Sequence, residues 1–185
     1  MSLARKYKKS LEKQWCLRFK TRHPDGDKYD GVITHIKNEF VVLREADDFV
    51  FDGISILPKK FIKGYRDDKY ERCSNKILRQ NGEIKKCRSP RWLNFCKTLP
   101  DILKQMMSRN VWPGVETLFN KKTESAFYIG PITRLADDHF YLRCYDAAGN
   151  WEKEYKLTYK EIFRIEFNSK YCNNFNAYMR NRNGT

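Results

Sequence analysis

The stretch DGVITHIKNEFVVLRE, residues 30–45, is matched ninety-nine residues later by IGPITRLADDHFYLRC, residues 129–144. The two stretches align without a gap. The matching pairs are Gly31 with Gly130, Ile33 with Ile132, Thr34 with Thr133, Ile36 with Leu135, Leu43 with Leu142, and Arg44 with Arg143. In each copy β-branched and aromatic residues flank a short polar turn, KNE in the first and ADD in the second, which predicts a β-hairpin. The chain therefore contains an internal repeat built on this hairpin.

The repeat extends to both sides of the hairpin. Downstream, residues 57–66 (LPKKFIKGYR) match residues 157–166 (LTYKEIFRIE). The offset between the copies is 99 residues in the hairpin, 100 in this segment and 101 after it. At the last offset the matching pairs are Tyr70 with Tyr171, Leu78 with Met179 and Arg79 with Arg180. Upstream, residues 3–15 and 99–112 both have the spacing of a helix that ends near a tryptophan. Each copy is predicted to contain a helix, several strands and a short C-terminal helix.

The glycines of the repeat favour a small closed sheet in each copy. Gly31 and Gly130 lie early in a strand, where a missing side chain permits a sharp bend. Closure of about five bent antiparallel strands would remove exposed sheet edges. We therefore predict a mainly β fold with flanking helices, an α+β class of two tandem small antiparallel β-barrels, each preceded by an N-terminal helix. The expected parts are 1–66 for the first helix and barrel, 67–98 for a basic, partly helical connector, and 99–185 for the second helix and barrel with a C-terminal helix.

The order helix, G-V-I-x-x-I-x-x-x-F-V-V-L, then P-K-K-F-I-K-G-Y resembles the Sm-like small barrels, including the bacterial Hfq type. The resemblance covers residues 3–66 and, through the repeat, 99–167; SH3-like barrels share the same pattern of bent strands. It implies RNA binding. At the two positions where Sm proteins contact the base, however, this chain has Lys37 and Val41 in one copy and Ala136 and Phe140 in the other. The resemblance thus implies phosphate contact and not base readout.

Charge is distributed unevenly along the chain. The formal net charge is +14, and residues 1–100 hold 24 Lys and Arg against 13 Asp and Glu, whereas residues 101–185 hold 13 against 10. This asymmetry favours an anionic partner, RNA or another polyanion, at the first unit and the connector. A lysine-rich surface that only contacts solvent is the alternative.

Candidate binding residues follow from this charge distribution. Cations lie on the last predicted strand of the first unit, on the helix after it and along the connector, where aromatic residues alternate with them. They could hold phosphates while a ring stacks on a base. The candidates are Lys59, Lys60, Lys63, Arg66, Arg72, Lys76, Lys85, Lys86, Arg88, Arg91 and Trp92. The alternative is a solvated linker whose Trp92 and Phe95 anchor it to the barrels.

Metal, cofactor and catalytic chemistry find little support in the sequence. The six cysteines form no CxxC pair and there are only three histidines, so no metal and no cofactor is expected. His35 and His139 are not equivalent in the repeat, and neither has a nucleophile beside it in sequence. Asp137 and Asp138 suit a turn, and the chain has no Gly-rich phosphate loop. We therefore expect a protein without enzymatic activity.

No membrane span and no secretory signal is visible, because the apolar runs are short and interrupted by charge. We predict a cytoplasmic protein with reduced thiols. A covalent tandem would close its own interface or dimerise, so a monomer or a homodimer is expected. The predicted function is nucleic-acid binding, and the alternative is a protein-interaction module whose exposed strand edges recruit a partner.

Overall fold

The computed structural model describes residues 3–23, 28–119 and 124–182. The chain divides into two compact units, Met1–Asn94 and Phe95–Thr185. Strands are the main element, accompanied by helices, so the predicted mainly β class with flanking helices is confirmed. The division places residues 67–94, most of the expected connector, within the first unit. Among the described residues, no helix is long and apolar enough to cross a membrane.

The described residues of the first unit form two α-helices and five strands. Its elements are α1 (Leu3–Lys13), β1 (Leu17–Thr21), β2 (Lys28–Ile36), β3 (Phe40–Asp47), β4 (Val50–Pro58), β5 (Ile62–Arg66) and α2 (Lys69–Gln80). Three 3₁₀ turns accompany them, at Lys59–Phe61, Glu83–Lys86 and Arg91–Phe95. The strands pair antiparallel in the order β5-β1-β2-β3-β4. No pairing joins β4 to β5 among the described residues, so a closed barrel stays a prediction.

The second unit repeats this plan with one break. Its elements are α3 (Leu99–Ser108), β6 (Gly114–Phe119), β7 (Glu124–Ile129), β8 (Ile132–Leu135), β9 (His139–Tyr145), β10 (Trp151–Thr158), β11 (Ile162–Phe167) and α4 (Lys170–Arg182). Strand β6 pairs with β11 and β7, and β9 pairs with β8 and β10, all antiparallel. β7 and β8 together correspond to β2 of the first unit.

The repeated glycines each lie close to a carbonyl oxygen of the partner strand. A Cβ atom on Gly31 would lie 2.8 Å from the carbonyl oxygen of Arg44. A Cβ on Gly130 would collide with the carbonyl oxygen of Arg143, the residue aligned with Arg44, and the φ of Gly130 is +149°. At both positions the chain can approach its hairpin partner this closely only because glycine has no side chain.

An asparagine fastens the last helix of each unit to the chain near the start of its first strand. In the first unit Asn75 is fully buried; its Oδ1 accepts from the Cys16 backbone N–H (2.8 Å), and its Nδ2 donates to the Cys16 carbonyl (2.9 Å). In the second unit Asn176 Nδ2 donates to the Trp112 carbonyl (2.9 Å) and Oδ1 accepts from the Tyr145 hydroxyl (2.7 Å). We call these contacts the asparagine clamp.

The clamp is accompanied by an aligned arginine and an aligned apolar residue. Arg79 donates to the carbonyl of Lys13 (2.8 Å), and Arg180 donates to the carbonyl of Asn110 (2.6 Å). The neighbouring core residues are Leu78 in the first unit and Met179 in the second, both buried. Asparagine, arginine and apolar residue together hold α2 and α4 against their own units.

Candidate functional site

Helix α2 begins with a reciprocal cap. The Asp68 side chain accepts from the backbone N–H of Tyr70 (2.9 Å), while the Glu71 side chain accepts from the backbone N–H of Asp68 (2.9 Å). These bonds satisfy N–H groups that the first helical turn leaves unpaired. At the other end, Gly82 has a φ of +71°, which stops the helix. The helix is thus defined at both ends by its own sequence.

Four cations line one exposed side of α2: Lys69, Arg72, Lys76 and Arg79. At 3.6 residues per turn, their spacing of three, four and three residues places them within an arc of about 80°. The row extends over eleven residues, Lys69 to Arg79, a rise of about 15 Å along the helix axis. We call these four residues the α2 cation row.

The row keeps its charge because the acidic residue of α2 is buried and already paired. Glu71 is 5% exposed, and its Oε1 accepts from Arg66 Nε at 2.8 Å. The guanidinium of Arg18 lies 4.0 Å from the same oxygen. Arg66 therefore neutralises Glu71 and positions the helix, so Glu71 does not pair with the cations on the outer side.

An exposed aromatic ring borders the row. Tyr70 is 58% exposed. The Lys69 ammonium and the Arg66 guanidinium each lie 5.2 Å from its ring centroid. A solvent-exposed ring beside cations can stack on a nucleobase whose phosphate the cations hold.

The 3₁₀ turn after α2 carries more of the predicted cations. Glu83 is buried and accepts from the Phe51 backbone N–H (3.0 Å) and from Lys86 Nζ (2.5 Å). These bonds lower the pKa of Glu83, the contact with Lys86 first. Lys85 and Arg88 are exposed, whereas Lys86 is engaged with Glu83. The turn packs against α2 and against the beginning of β4.

Other candidates lie at the β2–β3 turn. The Lys59 backbone N–H donates to the carbonyl of Glu39 (2.7 Å). Asn94 reaches the same hairpin, because its Oδ1 lies 2.8 Å from His35 Nε2 and its carbonyl accepts from Lys37 Nζ at 2.9 Å. Lys59 and Asn94 each belong to a 3₁₀ turn, and we call the candidates on these two turns the hairpin group: Lys59, Lys60, Arg91 and Trp92.

The candidate residues therefore lie in two groups. Phe51, which contacts Glu83, and Pro58, which precedes Lys59, occupy opposite ends of β4. At about 3.3 Å per residue, they are about 23 Å apart along the strand. The α2 cation row with the turn after it belongs to one end, and the hairpin group to the other. Lys63 lies exposed on β5, and Arg66 on the same strand contacts Glu71.

Sequence reasoning placed Arg79 on the same helix as Arg72 and Lys76 and missed Lys69 and Tyr70 as members of the site. The helical spacing of Lys69 with Arg72 and Lys76 is visible in the sequence and could have identified it. The exposure of Tyr70 could not have been found in this way, because tyrosine is intermediate in its tendency to be buried and the residue type does not tell whether the ring is exposed.

His35 contacts the side chains of three residues of the first unit. Its Nδ1 lies 3.2 Å from the Thr34 hydroxyl and 3.3 Å from the Ser89 hydroxyl, and its Nε2 contacts Asn94. Burial lowers the pKa of His35 from its ordinary value. Since two hydroxyls share one ring nitrogen and Lys37 also contacts Asn94, the group fastens residues 89–94 to the hairpin.

Thiols and acidic groups are not arranged for metal binding in the described residues, where no cluster of three or more His, Cys, Asp or Glu side chains could hold an ion. All six cysteines are free, and Cys73 is exposed. Burial raises the pKa of Cys87 to about 11 and the pKa of Cys144 and Cys172 to about 12.

Comparisons with protein-family models, curated proteins and solved structures find no match to this chain.

Proposed function

We propose that the first unit binds single-stranded RNA through phosphate contacts of the α2 cation row. The observation that supports this most directly is the row itself, with four cations on one exposed helix side and the helix's acidic residue buried against Arg66. The exposed ring of Tyr70 next to Lys69 adds a surface on which a base can stack. Contacts of this kind hold the backbone and carry no sequence preference.

The row sets an upper limit on the salt dependence of binding. Four cations can neutralise at most four phosphates. For a single strand each neutralised phosphate contributes about −0.7 to the slope of log K against log salt, so the expected slope is about −2.8. With this slope the affinity falls about 50-fold between 50 and 200 mM salt.

The test is fluorescence anisotropy of a labelled mixed-sequence RNA of about 12 nucleotides, titrated with protein at several salt concentrations. Lys69→Glu with Lys76→Glu should lower the affinity at least about tenfold at low salt and reduce the slope to about −1.4, since two contacts remain. Lys104→Glu with Lys153→Glu is the matched control, because both lysines are exposed in the second unit and the change in net charge is the same.

Equal weakening by the two double variants would mean that only net charge matters and that the row is not the site. Absence of binding at about 50 mM salt would contradict RNA binding altogether, because phosphate contacts are strongest there. The protein-interaction alternative would then be the better account.

A further inference from the structure

The second unit contains a polar cavity that the proposed RNA contact does not use. It has a volume of about 460 Å³ and lies between the end of α3 and one side of α4. Ten residues line it, and none of them is acidic. Arg109 and Arg180 supply its positive charge, and five of the remaining residues are asparagines. Small-ligand sites in proteins commonly have volumes of about 300–1,000 Å³.

Arg180 is held in a fixed position at this cavity. Its guanidinium donates to the Asn110 carbonyl (2.6 Å) and lies 4.4 Å from the Trp112 ring centroid. The Trp112 ring is itself oriented, since its Nε1 donates to Asn110 Oδ1 at 2.7 Å. A guanidinium carries five N–H donors, so Arg180 retains donors for an anion after this contact. Planar donors fixed in this manner suit the two-oxygen recognition of phosphate.

Three asparagines add uncharged donors and acceptors. The side chains of Asn168, Asn173 and Asn181 are exposed and have no partner within the described residues. Asn176 differs, because the asparagine clamp uses both ends of its amide. Each open amide offers one acceptor and two donors, the groups that bind hydroxyls and base edges.

The repeat shows how the same corner differs between the units. Ala177 takes the position of Lys76, so the four side-chain atoms beyond Cβ are missing and space opens beside α4. Asn173 takes the position of Arg72. Flexible cations that suit a long polyanion in the first unit are thus replaced by a short side chain and an amide in the second.

The tryptophan of this corner also has a different partner in each unit. Trp15 Nε1 donates to Asp67 (3.0 Å), and Asp67 also pairs with Lys9 (3.2 Å). In the second unit Asn168 replaces Asp67, and Trp112 bonds to a residue on its own loop. The carboxylate that would repel an anion is absent from this position of the second unit.

We propose that the cavity of the second unit binds a small organic phosphate of about the size of a nucleoside monophosphate. The phosphate lies against Arg109 and Arg180, and the asparagine amides bind the sugar hydroxyls or the base edge of the same molecule. This site is separate from the α2 cation row, and neither proposal depends on the other.

Calorimetric titration tests the site with adenosine monophosphate, ribose 5-phosphate and inorganic phosphate, each up to about 5 mM, where a millimolar affinity is measurable. Asn173→Asp and Asn181→Asp place a negative charge in the cavity and should each weaken an organic phosphate at least about fivefold. Asn174→Asp is the matched control, because Asn174 is the exposed helical neighbour of Asn173 and does not line the cavity.

Comparing the three ligands shows whether the base, the sugar or only the phosphate contributes to binding. Tighter binding of adenosine monophosphate than of ribose 5-phosphate supports a site for the base, and equal binding of the two supports a site for the sugar phosphate. Inorganic phosphate binding as tightly as both, or no binding at all, overturns the proposal. An equal loss with Asn174→Asp also overturns it, because only distant charge would then matter. Lys69→Glu with Lys76→Glu should leave this binding unchanged.

Discussion

Replacing Asn75 by alanine should destabilise the first unit by about 3 kcal/mol. The Asn75 side chain is fully buried and pairs with both the N–H and the carbonyl of Cys16, a residue only 3% exposed. Alanine leaves these two backbone groups buried without partners, and each such group costs about 1–3 kcal/mol. The higher helix propensity of alanine returns only about 0.7 kcal/mol or less. The net loss is therefore a large part of the stability of a small unit.

Urea unfolding followed by thiol labelling and mass spectrometry can assign this loss to one unit. Cys16 is buried and reports the first unit, while Cys144, also buried, reports the second. With a urea dependence of about 1–3 kcal/mol per molar, the labelling midpoint of Cys16 should fall by about 1–3 M, and that of Cys144 should stay unchanged. The control is Lys76→Ala, which alters the exposed residue next to Asn75 and leaves the clamp intact.

The reciprocal variant strengthens this test. Asn176→Ala removes the acceptor of the Tyr145 hydroxyl and the donor to the Trp112 carbonyl, so the midpoint of Cys144 should fall and that of Cys16 should stay. If Asn75→Ala lowers the free energy of unfolding of the first unit, measured by Cys16 labelling, by less than about 0.5 kcal/mol, the loss is that of an ordinary surface substitution. This result would refute the clamp as the contact that fastens α2.

Three other outcomes are expected. Gly130→Ala should destabilise the second unit more than Gly31→Ala destabilises the first unit, because the Cβ added at Gly130 collides with a backbone carbonyl and the φ of Gly130 is +149°. Thermal unfolding of the two variants measures this difference. Cys73 should react at once with a thiol reagent in the folded protein, and the five buried cysteines only on unfolding. Two backbone N–H groups lower the pKa of Asp101 at the start of α3. The ionised carboxylate therefore stabilises the folded state above the unfolded pKa of about 3.9, and this stabilisation is lost as the pH falls through the folded pKa. Acid unfolding of Asp101→Asn should lack this component.

The fold was predictable where the signal is local or repeated. The hairpin turns occur at residues 37–39 and 136–138, where KNE and ADD indicated them. The glycines aligned in the sequence each face the carbonyl of an aligned arginine. Alternation of apolar residues and pairs of matched glycines are properties that a sequence carries directly.

The placement of α2 was less accessible, because it depends on contacts between distant residues. The helix was expected as part of a basic, partly helical connector, whereas Asn75 fastens it within the first unit by bonding to Cys16, 59 residues away. Nor does composition tell which cations are already paired. Arg66 pairs with Glu71, which is five residues later in the sequence, whereas Lys9 pairs with Asp67, which is 58 residues later. Only a folded chain separates such cations from the exposed ones of the α2 cation row.

The asparagine clamp also determines how short the first unit can be made. A chain cut after Arg66, at the boundary expected from the sequence, would keep β1 to β5 and lose the helix that carries Asn75. The N–H and carbonyl of Cys16 would then open to water at the place where β1 enters the core. A fragment that completes these hydrogen bonds has to include α2 and extend at least to Glu83, which accepts from the buried N–H of Phe51, so the repeated unit includes its closing helix.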